Sequence, residues 1–156
     1  MKVLLSILRE MADLPNDPDA VALALNSLGL AVEEMVVVGV PVPGVVTARI
    51  VRMEKHADAA KVTRCFVDAG DGVERHVWCG ATNMKAGDVV PLATLGTTMP
   101  NGMEIARRGI LGIDSEGMLC SEVELGLSDE SSGILILPAD SQLGVSPFDV
   151  LGIEHD

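Results

Sequence analysis

Residues 109–126 read G-I-L-G-I-D-S-E-G-M-L-C-S-E-V-E-L-G, a run that narrows the available folds more than any other part of the chain. Polar Asp114, Ser115, Glu116, Ser121, Glu122 and Glu124 are set among apolar Ile110, Leu111, Met118 and Leu119, so the run is no solvated linker. Gly112 and Gly117 suit positive φ or a close backbone approach, and Ser115 and Ser121 suit hydrogen bonds to nearby backbone. Gly112, Ser115, Glu116, Gly117, Met118 and Ser121 together predict a packed turn that fixes the path between a strand and a short helix.

The chain leading into this turn is built of strand-length apolar segments separated by turn signals, which points to a barrel or sandwich. The segments are residues 45–53, 62–68, 74–79 and 89–95. A-G-D-G at 69–72 is a natural hairpin turn between the second and third. In the third, alternation groups Arg75, Val77 and Cys79 on one face and Glu74, His76 and Trp78 on the other. P-N-G at 100–102 makes another tight turn, leading to the basic pair Arg107 and Arg108. After the organising run, 128–133 reads as an exposed acidic loop and 133–138 as a final buried strand. Five or so strands with a short helix in the connection predict an OB-type barrel, mainly β with short helices.

A smaller α+β unit precedes the barrel. Residues 1–8 suggest a short strand turning into a helical turn. A helix then starts at Asn16 or Asp17 as cap, with Pro18 in its first turn, Val21, Leu25 and Leu28 on one face, and Gly29 closing it. Residues 31–38 read as a strand, and G-V-P-V-P-G at 39–44 as a linker. The expected division is 1–39 for this unit, 40–150 for the barrel and 151–156 for the beginning of a C-terminal continuation.

Charge separates the same regions. Eleven Lys and Arg against 23 Asp and Glu give a net charge of -12, which repels a polyanion such as RNA. Residues 49–108, however, hold nine basic and seven acidic side chains, net +2, so the remainder carries -14. The non-acidic middle is where an anionic partner would bind. The aromatic residues are Phe66, Trp78 and Phe148, so the core must be aliphatic. Cys65, Cys79 and Cys120 form no C-x-x-C pair and read as reduced, buried thiols. His76-x-x-Cys79 lacks a second half for a zinc site, so no metal is expected. No apolar run reaches the roughly 20 residues of a membrane span, and the N-terminal apolar stretch ends too early for a signal peptide. The expected location is cytoplasmic, without membrane association.

The pattern G-x-x-S-x-G-M-L-C-S-E-x-E-L-G, with V-W-C-G-A-T-N at 77–83 and the opening L-S-I-L-R-E-M-A-D-L-P, resembles the N-terminal tRNA-binding (OB-fold) region of the bacterial phenylalanine-tRNA ligase beta subunit. The resemblance covers nearly the whole chain. It departs at K-H-A-D-A-A-K-V, residues 55–62, where the family commonly has H-P-N-A-D-K-L. Lys61 keeps the family's lysine, Ala57 replaces the proline, and Asp58 stands where asparagine is usual. Similar domains occur in free-standing tRNA-binding proteins and in methionine-tRNA ligases.

The resemblance implies a tRNA-binding module contributing auxiliary, phosphate- and shape-based binding to aminoacylation of tRNA(Phe). Its implied partners are tRNA, the remainder of the beta subunit and the alpha subunit. ATP and Mg2+ are implied for the full synthetase and no cofactor for this chain. With no nucleophile–base pair or phosphate loop in view, this polypeptide alone is not expected to be an enzyme. In the family the first unit is completed by chain beyond the barrel, so residues 1–39 are expected to expose an apolar face that favours self-association or disorder. The other reading is a protein–protein docking module of the synthetase with little RNA affinity of its own.

The candidate RNA contacts are Lys55, Lys61, Arg64, Lys85, Arg107 and Arg108 for phosphates, and Trp78 for base stacking. Phe66 reads as core first, and Asn83 as a residue that caps backbone in a turn. His56 sits beside the basic loop with an ionisable ring.

Overall fold

The structure is a computed structural model that describes residues 1–130, 132–153 and 156. Ser131 of the expected acidic loop, and Glu154 and His155 of the expected continuation, lie outside the described residues. The chain divides into two units, one holding Met1–Val40 with Asp156 and the other Pro41–Ile153.

The first unit holds two helices. Helix α1 spans Leu5–Met11, where a short strand turning into a helical turn was expected; the helical turn is present, no strand precedes it, and none of the helix residues is buried. Its N-cap, Leu4, offers no side-chain acceptor. The Asp156 carboxylate fills that role, accepting from Ser6 N at 3.0 and 3.1 Å and from Ser6 Oγ at 2.6 Å. Helix α2, Pro18–Ser27, starts as the sequence predicts, with Asp17 accepting from Asp19 N and Pro18 in the first turn. Residues 31–38 form no strand; Val38 instead exchanges two backbone hydrogen bonds with Asp156, at 2.9 and 3.0 Å. Leu23, Leu28, Leu30, Met35, Val36 and Val37 are exposed in this unit.

The second unit is the expected five-stranded barrel. Its strands are β1 (Val45–Lys55), β2 (Thr63–Asp68), β3 (Glu74–Cys79) and β4 (Val89–Thr94), with a hairpin of β5 (Arg108–Ile110) and β6 (Ile113–Ser115) leading into β7 (Gly117–Leu119). The sheet order is β3-β2-β1-β4-β7, antiparallel throughout. The barrel closes where the end of the hairpin meets β3: Glu116 N donates to His76 O at 2.8 Å, and Trp78 N donates to Ser115 Oγ at 3.1 Å. The organising run is therefore not a strand-to-helix turn. It is a hairpin plus the fifth barrel strand, followed by a turn at 122–126 in which Leu125 N donates to Ser121 O at 3.2 Å.

Alternation fills the barrel with Ala48, Ile50, Cys65, Val67, Val77, Cys79, Val90, Leu92 and Leu119. A second apolar cluster, around Val45, Ala93, Met99, Ile105, Leu125 and Phe148, packs on the outside of β1, β4 and β7. Phe148 comes from helix α3, Pro147–Leu151, which carries a Ser146 cap, a first-turn Pro147 and a left-handed Gly152. The expected strand at 133–138 does not form. Its backbone partners belong to separate segments, Leu135 N to Cys120 O and Leu137 N to Val89 O, so no ladder can run.

Strand β1 changes phase. Its pairing with β2 shifts between Ile50 and Arg52, leaving Val51 as a bulge residue. Ile50 is inside the barrel, and beyond the bulge Met53 packs against the same core. Arg52 and Glu54 are thereby returned to the outer face. Among the described residues, no helix is long and apolar enough to cross a membrane.

Candidate nucleic-acid interface

On the outer face of β2 and β3 the side chains that alternate with the core line up as Arg64 and Phe66 beside His76 and Trp78, paired across the strands as Arg64 with Trp78 and Phe66 with His76. Their rings form a row. His56, from the β1–β2 loop, meets Trp78 edge-on at 6.3 Å between ring centroids; Trp78 meets His76 at 5.2 Å; His76 meets Phe66 at 5.2 Å.

The hairpin covers the Trp78 end of this row. Trp78 Nε1 donates to Ile113 O at 2.9 Å, and His76 Nδ1 lies 2.7 Å from Asp114 O. Arg64 Nε donates to His76 Nε2 at 3.1 Å. That contact makes Nε2 an acceptor, so Nδ1 carries the proton and donates to Asp114 O. Trp78 is left 9% exposed with its indole N–H satisfied, and Phe66 is 8% exposed. Neither ring offers an open face for a base to stack on.

Arginines take the outermost layer. The Arg52 guanidinium carbon lies 3.6 Å above the Phe66 ring centroid and that of Arg64 lies 5.1 Å from it, both within cation–π range. Arg52 Nη1 pairs with Glu54 and Nη2 with Glu74 at 2.9 Å. Arg64 Nη1 reaches Glu54 at 3.5 Å. At the hairpin, Arg107 is loosely held, 3.9 Å from Asp114 and 3.7 Å from Glu116. Arg108 and its paired residue Ser115 stand on the side where Ser115 accepts from Trp78 N.

Of the residues singled out from sequence, Lys55, Lys61, Arg64, Trp78, Arg107 and Arg108 thus lie on the strands and loops gathered around β3. Lys55 pairs in register with Thr63, and Thr63 with Cys79. The backbone carbonyl of Lys61 approaches Gly80, just past the end of β3. Lys85 is in the loop before β4, where its N–H donates to Asp88, and no contact among the described residues ties it to the cluster. Lys55, Lys61, Lys85 and Arg108 have no carboxylate partner among the described residues. Asp58, next to His56, donates its N–H to His56 Nδ1 at 3.1 Å and leaves its carboxylate exposed.

The signature residues do local work. Glu116 takes His76 N on Oε2 at 3.2 Å, and Ser115 Oγ donates to Gly117 O at 3.1 Å while accepting from Trp78 N. Ser121 and Glu124 form a capping box, with Glu124 Oε2 accepting from Ser121 N at 2.6 Å. Gly112, at φ 75°, follows Leu111, at φ 54°, in the two-residue β5–β6 turn. Met118 packs against the second cluster, and Gly117 against β4.

Sequence reasoning missed Arg52, Glu54, Glu74 and His76 as parts of this surface. The alternation that placed His76 beside Trp78 was a usable signal. For Arg52 there was none, because the bulge at Val51 hides its phase.

A family model described as "Putative tRNA binding domain" matches residues 45–146. The chain is 48% identical over 147 residues to the phenylalanine–tRNA ligase beta subunit of Syntrophotalea carbinolica, covering 94% of this chain and 18% of that protein. It is 42% identical over 154 residues to the same subunit of Anaeromyxobacter dehalogenans, covering 99% and 19%. It therefore spans less than a fifth of the length of these relatives. Among solved structures, a MetRS related protein from Pyrococcus horikoshii aligns with a TM-score of 0.49 at 16% identity, over 65% of this chain and 86% of that one.

Proposed function

The chain belongs to the tRNA-binding domain family, and from this we propose that it is the tRNA-binding module of a phenylalanine–tRNA ligase beta subunit, holding tRNA by phosphates and shape while aminoacylation proceeds elsewhere in the enzyme. The observation that supports this reading is that Arg64, in register with Trp78, and the hairpin bearing Arg107 and Arg108, which bonds Trp78 through Ser115 and Ile113, come together at β3 in a chain whose net charge is -12. Lys55, Lys61 and Arg108, which have no carboxylate partner among the described residues, are the phosphate donors of first rank. Lys85 stands apart and adds a peripheral contact. Trp78 acts from beneath, as the post on which the hairpin carrying Arg107 and Arg108 is mounted.

In this reading tRNA, the remainder of the beta subunit and the alpha subunit are the partners, and the location is the cytoplasm. ATP and Mg2+ serve the aminoacylation chemistry of the whole ligase. A docking role within the synthetase, with little RNA affinity, draws support from the carboxylates that pair with Arg52, Arg64, Arg75 and Arg107.

Fluorescence anisotropy of labelled tRNA with this chain, from about 25 to 200 mM salt, separates the two. Each phosphate contact adds about 0.9 to the salt slope on a B-form duplex and about 0.7 on a single strand. The RNA reading requires binding that weakens steeply with salt and a smaller slope for the double substitution Arg107→Ala and Arg108→Ala. Absence of binding at the lowest salt overturns it in favour of docking.

A further inference from the structure

We propose that the Arg52 guanidinium, spread over Phe66, is a stacking platform for an unpaired nucleobase. The proposal rests on the RNA-binding reading and names a contact that reading lacks, since phosphate contacts alone give no hold on bases.

Three features converge on it. The guanidinium carbon sits 3.6 Å above the Phe66 centroid, at stacking distance, so its inner face is covered by the ring. Both of its terminal nitrogens are engaged by carboxylates, Nη1 by Glu54 and Nη2 by Glu74, which fixes the group from two sides. The side chain nonetheless remains 47% exposed. What is left open is therefore the outer face of the plane, together with the Nε–H, which makes no hydrogen bond among the described residues.

That division selects the ligand. A phosphate would have to approach beside Glu54 and Glu74, whose carboxylates already hold both terminal nitrogens and repel a second anion there. A neutral, flat π system needs only the face, and guanidinium planes are established stacking surfaces for splayed-out bases of single-stranded RNA. A base inside a duplex cannot present its face, so the ligand class is an unpaired nucleotide. Arg64 stands beside the platform with Nη1 turned to Glu54, Nε on His76, and Nη2 making no hydrogen bond among the described residues. Nη2 is placed to meet the edge or the phosphate of the stacked nucleotide. The Phe66 ring is in turn supported by His76, 5.2 Å away.

The test compares wild type, Arg52→Lys and Phe66→Leu, each checked for an unchanged circular dichroism spectrum, on two RNAs. One is an oligouridylate of about 12 nucleotides, within the site size of a single OB barrel, and the other is the same backbone with abasic positions. Lysine keeps the charge and removes the plane; leucine keeps apolar bulk and removes the ring. The platform requires wild type to bind the base-bearing strand more tightly than the abasic one. Arg52→Lys should then lose about 10-fold on the former and stay within about 2-fold on the latter. Equal wild-type binding to both strands, or an Arg52→Lys loss that is the same on both, overturns the platform and leaves the phosphate-binding reading standing. No wild-type binding to either strand or to tRNA at low salt overturns that reading and the platform with it.

Discussion

Asn83 and Ile134, 51 residues apart, exchange two hydrogen bonds through one side chain: Asn83 Nδ2 donates to Ile134 O at 2.8 Å, and Ile134 N donates to Asn83 Oδ1 at 3.0 Å. The carboxamide pairs with backbone as a neighbouring strand would. It anchors the segment after the capping box to the loop before β4, where no ladder holds it. Asn83→Ala should cost about 1–3 kcal/mol, because Ile134 is buried and its freed polar groups lose their partner. Asn83→Asp, which keeps the acceptor and loses the donor, should be no milder. Urea unfolding midpoints of the three proteins check this.

Gly117 is required by space rather than by its torsion angle. A Cβ there would lie 2.7 Å from Ala93 O and 2.9 Å from Leu92 Cδ1, against the backbone of β4. Gly117→Ala should therefore destabilise the barrel by about 1–3 kcal/mol through overpacking. Gly112, where φ is 75° and nothing stands within 4 Å, should accept asparagine with a small loss. Thermal melts of the two variants give the comparison.

All three cysteines are buried as free thiols. Burial pushes Cys65 and Cys120 up to about 12, and raises Cys79 in the same direction. A thiol ionises near 9.0 when unperturbed, so the unfolded chain releases these protons first. Stability from this source is complete below about 9 and falls as pH rises towards 12. Ellman's reagent in mildly alkaline buffer should find the native thiols unreactive and all three titratable in denaturant.

Asp71 and Arg75 pair across the β2–β3 turn at 2.6 Å. The Arg75 guanidinium, helped by Val73 N–H, holds the Asp71 carboxyl down at about 2, below its ordinary 3.8. The stabilising contribution is thus present above about 3.8 and is lost as pH falls through 2. An NMR titration of the Asp71 carboxyl should give a midpoint near 2, and Arg75→Gln should return it towards 3.8. An unchanged midpoint in that variant would sink the assignment.

Strands β1 to β4 and helix α2 were legible because each is long enough for its apolar period, its turn residues or its cap to repeat the message. The hairpin and β7 were not: β5, β6 and β7 have three residues each, too short to establish a period. Residues 31–38 carry strand-like side chains, but a strand needs a partner along its length, and among the described residues only Val38 exchanges a pair of backbone bonds there. At the site, the identities of the basic residues were readable, whereas the covering of Trp78 by Ile113 O and of Phe66 by Arg52 belongs to tertiary structure. Helix α3 could have been found, since Ser146, Pro147 and Gly152 spell its cap, first turn and stop.

Val51 works like a frameshift written into a strand. Upstream of it, even-numbered positions such as Ala48 and Ile50 face the barrel; downstream, the odd-numbered Met53 does. Deleting that single residue would remove the bulge and restore plain alternation, leaving Ile50 inward, Arg52 outward and Met53 inward. Keeping Val51 but pairing it regularly would instead turn Arg52 and Glu54 inward and Met53 outward, exchanging the barrel lining for the outer surface in one step. The strand therefore carries one position at which its length can change without a change of face. A deletion of Val51 should be better tolerated than a one-residue deletion elsewhere in β1.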